Sequence, residues 1–322
     1  VIAIEHLQYV VMTILPVFLV IGLGYLASKN RIIPENGHKA LAAFVFNFGL
    51  PAAIFSALST KPLEEVWNVA YVMVYTVGSL LAFTFVAVLC IFALKKTVTE
   101  SIVLGLGSSF SNSLLIGFPV IYFLFGTSAL VPFSLTLVVE NLIMLPLLLA
   151  LADMSNSNKS TRFLKKLSDT GRSLLKNPIV LSILLGMLVS GLNINTPEMA
   201  ERMVEMLANT VTGVALFTIG GGLVGVRVNG MKKEIGTVVF GKLVIHPLLL
   251  LVMIVLWFDL DPTMSAVAVI LASMPMFGVY AVIGQRYNMG GLCSAVLLPT
   301  TIIAMATVSV VTTSVITIFS LY

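Results

Sequence analysis

Two short stretches decide the reading of this chain: Ser111-Asn112-Ser113-Leu114-Leu115-Ile116-Gly117-Phe118-Pro119 and Ser273-Met274-Pro275-Met276-Phe277-Gly278-Val279-Tyr280. Each interrupts a long apolar run. Proline removes a backbone donor and clashes with the preceding turn. Glycine relaxes the backbone, and serine or asparagine can satisfy the amides so freed. Both runs are therefore expected to unwind part-way along. The two breaks are related by an offset of 162 residues, which carries Ser111 onto Ser273, Pro16 onto Pro178, Gly24 onto Gly186 and Ile121 onto Ile283. Pro34 and Pro197 fall one residue off the same register.

The surrounding composition sets the solvent. Of 322 residues, 58% are hydrophobic and 10% charged, where soluble domains carry roughly 25% charge. Most of the chain is therefore expected to face lipid. Apolar runs bounded by polar or turn residues lie at roughly 7–28, 39–58, 67–94, 101–125, 128–152, 178–194, 203–225, 236–257, 263–286 and 291–320, most of them near the ~20 residues a spanning helix needs. The first is too long for a leader and is preceded by Glu5 and His6 instead of a basic segment. The 162-residue offset spans five of these runs, and an odd number of crossings inverts the second copy. The expected fold is an all-α membrane protein of ten transmembrane helices in two inverted five-helix repeats, with helices 4 and 9 broken and crossed. The repeats occupy 1–152 and 178–322, joined by a cytoplasmic linker at 153–177.

Eighteen Lys and Arg residues orient it. Assigned to alternate loops, fifteen share one side, Lys61 and Arg202 take the other, and Lys242 falls inside span 8. The basic side is expected in the cytoplasm, which places both termini outside a cytoplasmic membrane. The net charge of +4 thus reports orientation, and no nucleic-acid partner is expected. Cys90 and Cys293 are the only cysteines, with no disulfide framework or metal spacing. Nucleophile, zinc-protease and nucleotide motifs are absent, so neither an enzyme nor an ATP-driven pump is expected, and no cofactor.

Inverted repeats of five with paired helix breaks are a transporter architecture, with the substrate near the midplane. The second half of each broken helix presents unpaired N–H groups and a partial positive charge at its N-terminus. An anion site without a buried Arg or Lys is expected there. Its candidate residues are Ser111, Asn112, Ser113, Gly117 and Pro119 from span 4, and Pro275, Met276, Gly278 and Tyr280 from span 9. Asn47 and Pro51 of span 2 are candidates for the opposite wall of the path. Glu140 is the acidic residue deep in a span, where an ionised carboxylate costs about 2.5–3.5 kcal/mol. With Asn141 and His246 it is the candidate for coupling to a proton or sodium ion. Lys242 and His246 share a face at i, i+4, Lys242 being expected to snorkel. Arg286 is read as an interfacial anchor, and Gly220-Gly221-Gly222 as a close-packing surface.

At these residues a family resemblance appears. Asn112 to Pro119, continuing to Phe125-Gly126, resembles the fourth-helix motif of the auxin efflux carrier family. Met274-Pro275 through Tyr287-Asn288 is similar to its ninth-helix motif, Lys176-Asn177-Pro178 with Gly186 to the start of its sixth helix, and Asn47 to Phe55 to its second. The resemblance implies a scaffold of helices 1, 2, 6 and 7, and a mobile transport domain of helices 3–5 and 8–10. It implies a homodimer moving carboxylates such as auxin, malate or malonate, with Asn112 on the substrate carboxylate and Pro119 and Pro275 holding the crossover. Span 3 here lacks the ionic pair of plant members, and the linker is short, which favours a microbial organic-acid carrier over auxin itself. The alternatives are a sodium-coupled symporter of larger amphipathic anions and a membrane sensor that binds without translocating; an appended signalling domain would mark the sensor.

Overall fold

The computed structural model describes residues 15–16, 19–34, 37–60, 67–156, 176–222, 224, 232–278 and 280–321. The linker and the start of the first expected span lie outside these. The described elements are, in order, α1 (Leu19–Lys29), α2 (Gly37–Ser59), α3 (Val69–Phe92) and α4 (Val98–Ser109). There follow α5 (Phe118–Phe125), α6 (Leu130–Val138), α7 (Leu145–Asn156), α8 (Pro178–Gly191), α9 (Glu198–Ala208) and α10 (Val211–Gly222). The chain closes with α11 (Lys232–Trp257), α12 (Pro262–Ser273), α13 (Tyr280–Arg286) and α14 (Gly290–Ile318). No strand is present among the described residues, and six helical runs are long and apolar enough to cross a membrane. One of these, Ser113–Ser155, is 43 residues, about 65 Å at 1.5 Å per residue and twice a bilayer core. It divides at Gly126, whose φ of 57° lies in the left-handed region that glycine adopts without a Cβ penalty.

Both breaks are present. Helix stops at Ser109 and Ser273 and resumes in a turn at Ser113 and in α13 at Tyr280. A second regularity was not read from the sequence. Among the described residues there are four wide π-turns, Val45–Gly49, Ser113–Gly117, Val139–Met144 and Gly241–Ile245, and each ends two residues before a proline: Pro51, Pro119, Pro146 and Pro247. A proline ring collides with the carbonyl of the preceding turn, and widening that turn by one residue removes the collision. Asn47, Ser113, Glu140 and Lys242 all sit within these turns.

Helix ends are set by ordinary capping. Asn177 caps α8 ahead of Pro178, and Asp261 caps α12 ahead of Pro262, each side chain accepting from backbone N–H groups of the first turn. Thr97 and Glu100 form a reciprocal capping box at α4. Lys96 meets Glu234 at 2.8 Å. The Thr97 backbone N–H holds the Glu100 carboxyl below its usual range, and the hydrogen bond to Glu234 holds the Lys96 ammonium above its own.

The helices group into two compact units. One takes in Val1–Val69, Leu114–Val138 and Leu175–Gly225; the other takes in Ala70–Ser113, Val139–Leu174 and Val226–Tyr322. Lipid is as apolar as leucine, so helices inside a membrane gain by close van der Waals approach. In the first unit α1 and α10 approach through glycine: a Cβ on Gly24 would stand 1.9 Å from the Phe217 carbonyl oxygen, and one on Gly220 1.8 Å from that of Ile21. The glycine run was expected to serve this purpose. In the second unit α4 packs on α7, α11 on α12, and α14 on α12 and α13. Asp153, at the end of α7, binds Arg286 at 2.6 Å and accepts from the Tyr287 hydroxyl at 2.7 Å. Arg286 therefore ties α13 to α7, in addition to any interfacial contact.

Candidate functional site at the two helix breaks

Within the second unit the two unwound segments meet as backbone. Ser111 and Met276 form an antiparallel bridge, and the Asn112 N–H donates to the Pro275 carbonyl at 2.7 Å. Unwinding frees such groups, and in an apolar medium a free amide is costly, so each break satisfies part of the other. Phe110 and Phe277, one residue outside the bridge on either strand, stack with ring centroids 4.2 Å apart.

A buried polar network runs beside the bridge. Glu140 is 2% exposed, and its Oε1 accepts from Ser113 Oγ at 2.8 Å and the Tyr75 hydroxyl at 3.0 Å. Lys242 is fully buried and does not snorkel. Its Nζ donates to Ser111 Oγ at 2.6 Å and the Ala272 carbonyl at 2.8 Å, and lies 2.9 Å from His246 Nδ1. An ammonium has three hydrogens and no lone pair, and three acceptors surround this one. With Lys242 as the ammonium, His246 Nδ1 accepts and the ring proton lies on Nε2, 2.9 Å from Ser79 Oγ. Ser111 joins the bridge to the base: its backbone pairs with Met276 and its hydroxyl accepts from Lys242.

The structure thus brings together Ser111, Asn112, Ser113, Pro275, Met276, Glu140 and His246, all in one unit, and adds Lys242, Tyr75 and Ser79. The expectation of an anion site without a buried cation is corrected by Lys242. A signal was available: Lys242 lies ten residues past Lys232, about 15 Å along the helix, too deep for its side chain to return to the interface. Tyr71, Tyr75 and Ser79 recur every fourth residue on α3, one face of a helix, yet tyrosines add to the apolar count and hid this stripe.

Gly117, Pro119, Asn47 and Pro51 belong to the first unit. Asn47 is exposed, with its side-chain amide donating to the Ala43 carbonyl in its own helix at 2.8 Å. Asn141 is half-buried in the π-turn that carries Glu140, and Gly278 is exposed. Tyr280 is fully buried, with its ring and hydroxyl packed over Gly107. The second half of span 9 is a seven-residue helix, so the dipole expected at its N-terminus is a short one.

Apolar spans of bilayer length, two paired breaks and a buried acid and base beside them make up a membrane transport protein. The chain belongs to the family described as membrane transport protein, which matches residues 9–312, the family whose fourth- and ninth-helix motifs its breaks resemble. It is a multi-pass membrane transporter and not an enzyme. A relative from Rhizobium meliloti named "Putative malonate transporter" is 28% identical over 297 residues, 92% of each chain. The uncharacterized transporter YfdV of Escherichia coli is 25% identical over 250 residues, 76% of this chain and 78% of its own. A lysosomal cholesterol signaling protein of mouse is 24% identical over 249 residues, 73% of this chain and 29% of that longer one.

Proposed function

We propose that the protein is a secondary active carrier, or a uniporter, for small organic anions, with malonate the first candidate, working by elevator-type alternating access. The observation that carries this reading is the backbone bridge between the two breaks, flanked by Glu140 and by Lys242 with His246. A substrate carboxylate docks at the break, held by the Asn112 side chain and by backbone donors, while the buried Lys242 supplies positive potential at no cost in further donors. Glu140 and His246 take up and release the coupling ion, a proton or sodium. The name of the Rhizobium relative supports malonate as the substrate to try first.

Ten helices in inverted repeats, with helices 1, 2, 6 and 7 as scaffold and helices 3–5 and 8–10 as the moving part, complete the proposal. In its support, the first unit gathers the described parts of spans 1, 2, 6 and 7, and the second those of spans 3, 8, 9 and 10. The stretch Leu114–Val138 groups with the former, so spans 4 and 5 are each divided, span 4 after Ser113 and span 5 just before Val139. Both termini face outward from the cytoplasmic membrane, and the working form is a homodimer. Purified protein in liposomes should take up labelled malonate, and imposed proton and sodium gradients should separate coupled from uniport movement; no uptake of any mono- or dicarboxylate under either gradient would refute the carrier reading. A cysteine at Ser157, on a background without Cys90 and Cys293, should react with an impermeant reagent only from the cytoplasmic face.

A further inference from the structure

On the reverse of the π-turn that carries Lys242, a groove of about 390 Å³ runs between α11 and α14 within the second unit. Leu243, Pro247 and Leu248 form one wall, Ala306, Val310 and Ser314 the other. Its hydroxyl protons are spent within α14: Ser314 Oγ donates to the Val310 carbonyl at 2.9 Å and Thr307 Oγ1 to that of Ile303 at 3.4 Å. The surface on offer is therefore mostly methyl and methylene. Leu248 is 49% exposed and Val310 62%, so nothing among the described residues fills it.

Depth selects the occupant. Pro247 lies about 22 Å along α11 from Lys232, well inside a hydrocarbon slab of about 30 Å. Water there would find only the lone pairs of Thr307 and Ser314, fewer partners than a well-held water needs. Twelve residues line the groove, whereas a stable protein interface enlists about 20–30 per side, which argues against a second copy of the chain.

We propose that this groove is a binding site for one acyl chain of a bilayer phospholipid. The chain lies along α14 against Val310 and Ser314 and presses on Leu243 and Pro247, directly behind the turn from which Lys242 reaches Ser111. The site is independent of substrate and of the coupling ion, and it gives bilayer composition a direct contact with the helix that carries the buried base.

The test uses the whole protein in vesicles containing a phosphatidylcholine with a photoactivatable diazirine midway along one chain. After irradiation, mass spectrometry should find adducts on the segments holding Leu248 and Val310 at several-fold higher yield than on Leu81 and Phe85, which are exposed on α3 to a similar degree. Ala306→Phe and Ser314→Phe, which fill the groove from one wall, should each lower the groove adducts several-fold and leave those on α3 unchanged. Even labelling over all exposed apolar residues in the unmodified protein would overturn the proposal without recourse to any variant. Groove residues protected from the lipid and recovered instead in protein-to-protein adducts would overturn it in favour of another polypeptide.

Discussion

Replacing Lys242 by methionine keeps the length of the side chain and removes three donated hydrogen bonds, to Ser111, Ala272 and His246. Each acceptor left bare in an apolar interior costs about 1–3 kcal/mol, and the carboxylate of Glu140 loses its cation. With local rearrangement recovering the upper part of the three losses, the total is about 3–5 kcal/mol. Glu140→Gln is the milder change: its bonds from Ser113 and Tyr75 persist but lose their charge assistance, from about 1.5–3 to about 0.5–1.5 kcal/mol each, a loss of about 2–3 kcal/mol. If the two groups compensate each other, the double variant must be less destabilised than the sum, by about 1–3 kcal/mol. At about 2–4 °C per kcal/mol for a chain of this order of size, Lys242→Met should lower Tm by about 6–20 °C and the double variant should recover several degrees against additivity. Melting of the detergent-purified proteins followed by tryptophan fluorescence supplies the four corners of the cycle. Malonate uptake measured alongside should lose its dependence on the proton or sodium gradient in Glu140→Gln. Shifts that add to within about 0.5 kcal/mol, together with unaltered ion dependence, would refute the idea that Glu140 and Lys242 form one unit.

Asn112→Ala should weaken malonate binding about ten- to a hundred-fold, the worth of one charge-assisted hydrogen bond, while the methyl ester of the acid binds poorly to both forms; calorimetry on the purified carrier decides it. Glu100 has its carboxyl held below the usual range in the folded state, so its contribution to stability is present above that range and is lost as pH falls through the depressed value. Glu100→Gln should cost about 1 kcal/mol at neutral pH and flatten the acid side of a Tm-against-pH curve relative to the unmodified protein. Gly220→Ala places a methyl where the Ile21 carbonyl stands; separating α1 from α10 should cost about 1–3 kcal/mol, read as a lowered Tm with unchanged α-helical circular dichroism.

The parts of this fold legible in the sequence are those set by composition and by proline. Runs of apolar residues marked the spans, and Pro119 and Pro275 marked the breaks, because a missing donor has the same consequence in any helix. Glu140 could be singled out because a carboxylate in lipid is costly wherever it points. What could not be read was direction. A π-turn rotates everything after it, so helical periodicity alone could not tell that Lys242 points inward to Ser111 or that Tyr280 packs over Gly107. Span 3 looked featureless for the same reason: the hydroxyls of Tyr75 and Ser79 acquire meaning only when Glu140 and His246 stand opposite them. Asn47, read from its place before Pro51, gives one amide hydrogen to the Ala43 carbonyl of its own helix, a local bond that sequence spacing does not reveal.

The four widened turns also change what a substitution scan of this protein should look like. In an unbroken α-helix, sensitivity to mutation rises and falls with a constant phase of about 100° per residue. Across Gly241–Ile245 that phase slips by one residue, so the tolerant face before the turn and the tolerant face after it are different faces. Deleting a single residue from such a turn, together with replacement of its proline, would restore one continuous phase and swing Lys242 away from Ser111 without changing any residue of the network. A carrier built this way holds its buried base by a counting offset in the backbone, and a one-residue deletion is a sharper probe of it than any point mutation.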